Sequence, residues 1–290
     1  MCCAGVVAVL IAAIAARRNI AEARGLDEIA ALSTVCYAAP LAVFGAEHVF
    51  GIQLVIDLVP KFMPWPLFWA YFVGFALLAA SLSIATKIAV RWSGLLLGIM
   101  MFLFVAMIHF PNALQNPHNR FFWVICFREL SFGGAAWVFA GDAIDGWRAH
   151  GKGALITIGR VLIGIGAIFF SVEHFLHPHG LPGVPLARQM PSWVPAQALI
   201  DYITGAALLA GGITFLLSSK ARTAATLVGG WILLTVLVIY GPVMIGALRT
   251  PAFGAQVEGV NYFFDTLLYA GAILALASAS PRDGAVADRS

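Results

Sequence analysis

Apolar stretches of about twenty residues recur along the chain, near 29–47, 67–86, 93–111, 121–141, 155–175, 197–217, 223–247 and 260–279. Short segments carrying Pro, Gly, Lys or Arg separate them. A helix rises about 1.5 Å per residue, so about twenty residues cross a hydrocarbon core of about 30 Å. The pattern predicts eight transmembrane helices. The longest polar break, Gly141 to Gly159, leaves four spans on each side. Ahead of the first span, residues 1–16 are also apolar and end at Arg17-Arg18. A secretory signal carries its positive charge before the apolar core, so this order does not fit one. The segment would be about 24 Å long as a helix, marginal for a crossing. It reads as an extra N-terminal helix, an interfacial segment, or an extension from a misplaced start codon.

The two sides of the break resemble each other. Glu47-His48 ends the first span and Glu173-His174 ends the fifth. Each pair is followed by a loop with Pro and Trp, KFMPWP at 61–66 and ARQMPSWVP at 187–195. YFVGFALL at 71–78 then matches YITGAALL at 202–209. In that register Arg91 meets Arg222, Gly98 meets Gly229 and Pro111 meets Pro242, and Glu129 falls close to Asp265. Matches of Leu and Ala carry little weight between apolar helices. The Glu-His pairs, loop prolines and Tyr-x-x-Gly carry more. Halves with an even number of spans share one orientation, so the expected symmetry axis lies along the membrane normal.

The expected fold class is thus an all-α membrane protein: eight transmembrane helices as two parallel four-helix repeats, with or without the extra N-terminal apolar helix. Its expected parts are an N-terminal apolar segment and basic linker at 1–28, a first repeat at 29–141, a cytoplasmic linker at 142–154, a second repeat at 155–279 and a tail at 280–290.

Composition supports the membrane reading. The chain is 61% hydrophobic and 11% charged, less than half the charge of an ordinary soluble protein. Mean hydropathy is +0.91. A net charge of +3 gives no reason to expect nucleic acid as a partner; the expected surroundings are the lipid bilayer. Cys2, Cys3, Cys36 and Cys126 form no C-x-x-C pair, which leaves thiol relay chemistry without support.

The basic residues are asymmetric. Arg17, Arg18, Arg24, Lys87, Arg91, Arg148, Lys152, Arg160, Lys220, Arg222, Arg282 and Arg289 fall on one side of the predicted spans. The other side holds Lys61, Arg120, Arg188 and Arg249, with Arg128 inside a span. The positive-inside rule then places both termini in the cytoplasm of a bacterial inner membrane. His48, His109, His118, His174, His177 and His179 fall at the outer face and His150 at the inner one.

Ionisable groups inside spans cost about 2.5–3.5 kcal/mol each at the centre, so each needs a partner or a purpose. Arg128 cannot shed its proton and must find an anion or water. Glu129 follows it, pointing about 100° away on a helix. Glu47, Arg128 and Glu129 are expected to form a polar cluster, with His48 and His109 near its mouth. The cluster reads either as a pocket for a headgroup, quinone or proton path, or as interhelical glue. The second half offers Glu173, His174, His177, Asp201 and Asp265, with Phe264 in Arg128's approximate place and no buried Arg. Its carboxylates are expected to pair with histidine, stay protonated or face water.

Glu173 and His177 share a helix face, as do His174 and His177, at spacings that suit metal ligation. Pro178 closes the helix, and no ligand from another helix is identifiable, so metal and haem are disfavoured. A hydrogen-bonded Glu-His pair handling a proton, or a solvated rim, fits better. No P-loop, G-x-S-x-G or H-E-x-x-H motif occurs.

A four-helix unit whose first helix closes on a polar pair before a Pro-containing outer loop resembles the DoxX-like integral membrane family. The resemblance rests on Glu47-His48 with KFMPWP and on the same pattern at Glu173-His174. It implies two fused DoxX-type units. It also implies a role beside other membrane redox subunits in quinone-linked electron transfer, or one in small-molecule or lipid handling. Taken with what the resemblance implies, three readings stand: an accessory electron-transfer subunit holding a quinone headgroup in the outer cluster, a transporter or lipid-binding protein, and a scaffold.

Overall fold

The computed structural model describes residues 2–149, 153–217 and 220–281. Among these, helices account for every regular element apart from one isolated antiparallel bridge, Gly180 to Gln189. Helix α1 (Cys2–Glu22) precedes a short α2 (Leu26–Ala30) and α3 (Ser33–Phe50). A cap of α4 (Ile52–Val55) and one 3-10 turn, Ile56–Leu58, leads to α5 (Pro66–Thr86). The third span is α6 (Val90–Phe104), a π-turn at Val105–His109 and α7 (Phe110–Gln115). Then come α8 (Arg120–Ala149), α9 (Ala154–Leu176) and α10 (Gln197–Leu217). The seventh span repeats the third in form: α11 (Ala221–Thr235), a π-turn at Val236–Tyr240 and α12 (Gly241–Leu248). Helix α13 (Phe253–Ala279) is last. Among the described residues, eight spans are long and apolar enough to cross a membrane.

The π-turns have a local cause. Pro111 and Pro242 each follow one by two residues and lack the N–H that a helix interior needs. A proline ring also clashes with the carbonyl four residues back, here Met107 or Val238. Both of those residues lie inside the π-turn, where one extra residue per turn moves the carbonyl aside.

Successive spans run antiparallel and pack in a closed order, each against the next, with α13 returning to α3. Helix α8 also touches α13, so these two form the centre. Helix α13 has 83% of its most apolar window buried, against 22% for the Val90–Gln115 span on the rim. The rim helices turn Phe72, Phe75, Leu96 and Leu103 outward, as lipid-facing surfaces do. Without water to drive helices together, packing relies on small residues. A Cβ on Gly74 would stand 2.8 Å from the His48 Cβ and 3.2 Å from the Gly45 carbonyl. A Cβ on Gly205 would stand 3.2 Å from the His174 Cβ. So in each half the Tyr-x-x-Gly glycine lies directly beneath the Glu-His histidine. The residue before each second span is left-handed without being glycine, Trp65 at φ 55° and Ala196 at φ 49°.

Two sequence expectations change, the end of the fourth span and the common face of the termini, while the N-terminal segment takes the helical one of its expected forms. The fourth span does not end at 141. Helix α8 continues to Ala149 through most of the expected linker, of which 150–152 lie outside the described residues, as does the tail from 282. The N-terminal segment is a 21-residue helix packed on α3. Its small face, Ala8, Ala12 and Ala16, is buried, while Val6, Leu10 and Ile14 face outward. Gly5 meets Val43, and Ala12 packs in the cluster that holds Tyr37, so α1 is antiparallel to α3. Cys2 therefore lies at the Glu47 end of the bundle. Ser280 accepts a hydrogen bond from Arg222 at the opposite end, where Arg222 also pairs with Asp27. The first and last described residues thus lie at opposite ends, not on the one face expected for both termini.

Candidate functional site

Arg128 sits two turns into α8, on the side facing α13. Its Nη1 donates to Asp265 Oδ2 at 2.7 Å and its Nη2 to Glu129 Oε1 at 2.7 Å. The guanidinium also stands over the Phe132 ring, 5.8 Å from its centre. From α3, Glu47 Oε1 accepts from Asn261 Nδ2 at 3.2 Å. Glu47, Glu129 and Asp265 are all more than nine-tenths buried. His48 is fixed by its Nδ1, which donates to the Phe44 carbonyl at 2.8 Å.

These groups line one cavity of about 360 Å³. Glu47, His48, His109, Arg128, Glu129, Asn261 and Asp265 form its polar part. Its walls are Phe44, Trp69, Phe72, Phe104, Phe132, Met100, Met101 and Met107, and its roof is Val55, Leu58, Val59, Pro60 and Met63. Phe72 on α5 and Leu103 on α6 belong to the lining and are each 50% exposed on outward helix faces. The cavity therefore reaches the apolar surface through a cleft between α5 and α6. Near their connecting turn those helices are tied by a Ser83–Ser93 hydrogen bond of 2.7 Å, so the cleft lies in the half away from that turn.

The expected first cluster is thus assembled, with two corrections. Glu129 does not point away from its neighbour, because the long Arg128 side chain curls round to reach it. Asp265 does not belong to a second-half cluster but to this one, because α8 and α13 run side by side at the centre. Asn261 and the methionine-aromatic wall were not singled out in the sequence.

Glu173, His174 and His177 lie apart from this cavity and are built differently. Glu173 pairs with Arg120 Nε at 2.5 Å. The second half's carboxylate therefore has an arginine after all, lent by the start of α8, which packs along α9. The Gly183 amide donates to His174 Nε2 at 3.1 Å, and on the other side of the ring Nδ1 lies 3.0 Å from Asp201 Oδ1. His174 is 1% exposed. His177 is half exposed and lies 3.9 Å from Glu173, too far for a hydrogen bond. Among the described residues no group of His, Cys, Asp and Glu is arranged to hold a metal ion.

The groups around His174 anchor a plug. The segment Leu181–Val194 turns into the second half and buries Leu181, Val184, Leu186, Met190 and Val194. Arg120 Nη2 donates to the Pro185 carbonyl at 2.7 Å, and Tyr240 Oη to the Pro182 carbonyl at 2.8 Å. Gly183, at φ 107°, stands where a Cβ would lie 2.9 Å from Thr266, so only glycine suits the turn. Tyr240 closes its π-turn as His109 closes the other. The first half holds the cavity, whereas beside His174 in the second half the space is filled by chain.

No family model, no curated protein and no solved structure matches this chain.

Proposed function

We propose that this is a membrane-embedded binding protein for a small amphiphile, used for its transport or presentation, with one ligand site in the first half. The carrying observation is the cavity: an apolar, methionine- and aromatic-lined space that ends on a buried cluster of one arginine and three carboxyls. Pure packing glue would fill its surroundings, whereas here about 360 Å³ is left beside the charges. The head of the ligand would meet Glu47, Glu129, Asp265, Asn261 and His109, and its chain would lie on the phenylalanine and methionine walls. Entry would be sideways from the bilayer, through the cleft beside Phe72 and Leu103.

We further read the chain as two related four-helix units that have diverged, one open and one plugged. In support, the π-turns, the left-handed residue before the second span and the glycine beneath the histidine recur at matching places. A DoxX-type origin would suit that arrangement but rests only on the Glu-His pairs and their loops. The basic end would face the cytoplasm of a bacterial membrane and the cavity the opposite side. An accessory role in quinone-linked electron transfer is the special case in which the amphiphile is a quinol, whose hydroxyls would donate to the carboxyls.

The test is extraction and native mass spectrometry of protein purified in maltoside. We expect one bound small molecule per chain, lost when Ala70→Trp fills the cavity while α-helical content is kept. Protein that carries nothing and takes up none of a panel of single-chain amphiphiles would overturn the reading.

A further inference from the structure

The charge on the cavity wall selects among amphiphiles. Three carboxyls, Glu47, Glu129 and Asp265, face one guanidinium, Arg128. Each carboxyl uses one oxygen, for Asn261 or Arg128. The second oxygens, Glu47 Oε2, Glu129 Oε2 and Asp265 Oδ1, accept no hydrogen bond within the described residues. Asn261 Oδ1 is buried and also lacks a partner. Against these acceptors the cavity wall offers fewer free donors: buried Trp69 Nε1 and Arg128 Nε, and the ring N–H of His109. A buried polar atom left without a partner is costly, so a fitting ligand supplies what the wall lacks.

What it lacks is donors and positive charge. An anionic head, phosphate or carboxylate, would meet three carboxyls with one arginine already doubly engaged. An oxidised quinone offers only acceptors to a wall of acceptors. An alkylammonium head offers several N–H donors and a charge, and the aromatic rings of Phe44 and Trp69 in the cavity wall suit a neighbouring cation. We infer that the cavity takes a cationic amphiphile, a protonated amine carrying an apolar chain. The inference rests on the proposed binding role of this cavity and names the class of its ligand.

Three chain-matched probes test it: decylammonium, decanol and decyl phosphate. Their binding to the full chain in maltoside micelles is measured by calorimetry, with protein-free micelles subtracted. We expect decylammonium to bind at least ten-fold more tightly than decanol, and decyl phosphate most weakly. In the Glu47→Gln variant the Asn261 hydrogen bond has an amide oxygen to accept it, and only the charge is removed. Decylammonium should weaken about ten-fold there, equal to about 1.4 kcal/mol, and decanol by a clearly smaller factor. Glu129→Gln serves as a second variant with the same expected pattern, should Glu47→Gln melt early. Decanol or decyl phosphate binding as tightly as decylammonium overturns the cation preference and leaves the binding role standing. The same holds for equal loss of decanol and decylammonium in both variants. Failure of all three probes to bind overturns the binding role itself.

Discussion

Arg128 and Asp265 are 137 residues apart in the chain and 2.7 Å apart at the centre of the bundle. The contact ties α8 to α13, the two helices around which all others are arranged. Replacing Arg128 by Leu would leave Glu129 and Asp265 buried without their cation. Breaking a buried pair by removing one partner costs about 3–5 kcal/mol. We expect Arg128→Leu to lower the unfolding temperature in detergent steeply. Adding Glu129→Gln and Asp265→Asn to it should recover more than half of the loss, because the stranded charges are then gone. No recovery would mean that Arg128 acts through something other than these two carboxyls.

The glycines beneath the histidines make a graded prediction. A methyl group at Gly74 would lie 2.8 Å from the His48 Cβ, against 3.2 Å for Gly205 and the His174 Cβ. The first is closer than real Cβ contacts allow, so α3 and α5 must part. The second needs a shift of a few tenths of an ångström. Overpacking of this kind costs about 1–3 kcal/mol. We expect Gly74→Ala at the upper end and Gly205→Ala at the lower, read as unfolding midpoints. Gly74→Ala should also weaken amphiphile binding, since His48 lines the cavity.

What could be read from the sequence follows from what is local. The spans were legible because apolar length alone decides whether a helix fits a bilayer. Glu47, Arg128 and Glu129 stood out because a charge inside a span always needs an explanation. Pro111 and Pro242 were legible only as a matched pair, because the π-turn ahead of each depends on how the helix accommodates the ring. Asp265 was assigned to the wrong cluster because its partner was chosen by the arrangement of helices, which periodicity does not encode. Arg120 was missed for the same reason: it stands at the head of one helix and serves a carboxyl on the next. The plug was illegible because Leu181, Val184 and Leu186 sit in an irregular loop, where burial leaves no period to find.

That plug is held by two kinds of anchor, and they should fail differently. Arg120 is about one-third exposed, so its pairing with Glu173 and the Pro185 carbonyl is worth about 1 kcal/mol. Arg120→Ala should leave the fold intact and speed amide exchange at Leu181, Leu186 and Met190 several-fold. His174→Phe removes the acceptor for the Gly183 amide and strands buried Asp201. It should cost about 3–5 kcal/mol and speed exchange at the same amides far more. Equal effects of the two changes would contradict the division of labour.

The route into the cavity gives the last prediction. Leu103 is 50% exposed on α6 and lies across the cleft from Phe72, which is 50% exposed on α5. Both also touch the cavity, so a larger side chain at Leu103 narrows the cleft without entering a packed core. A lipid-facing Leu→Trp change is apolar for apolar and should leave the unfolding temperature within about 1 °C, as surface changes usually shift stability by less than about 0.5 kcal/mol. If ligands enter sideways, Leu103→Trp should slow both association and release by a similar factor, and the equilibrium constant should barely move. A route from the aqueous face, past the roof formed by Val55, Leu58 and Met63, makes the opposite forecast. Then Leu103→Trp would change neither rate, and Leu58→Trp, at an exposed roof position, would slow both. Stopped-flow measurement of a fluorescent decylamine on the two variants separates the routes.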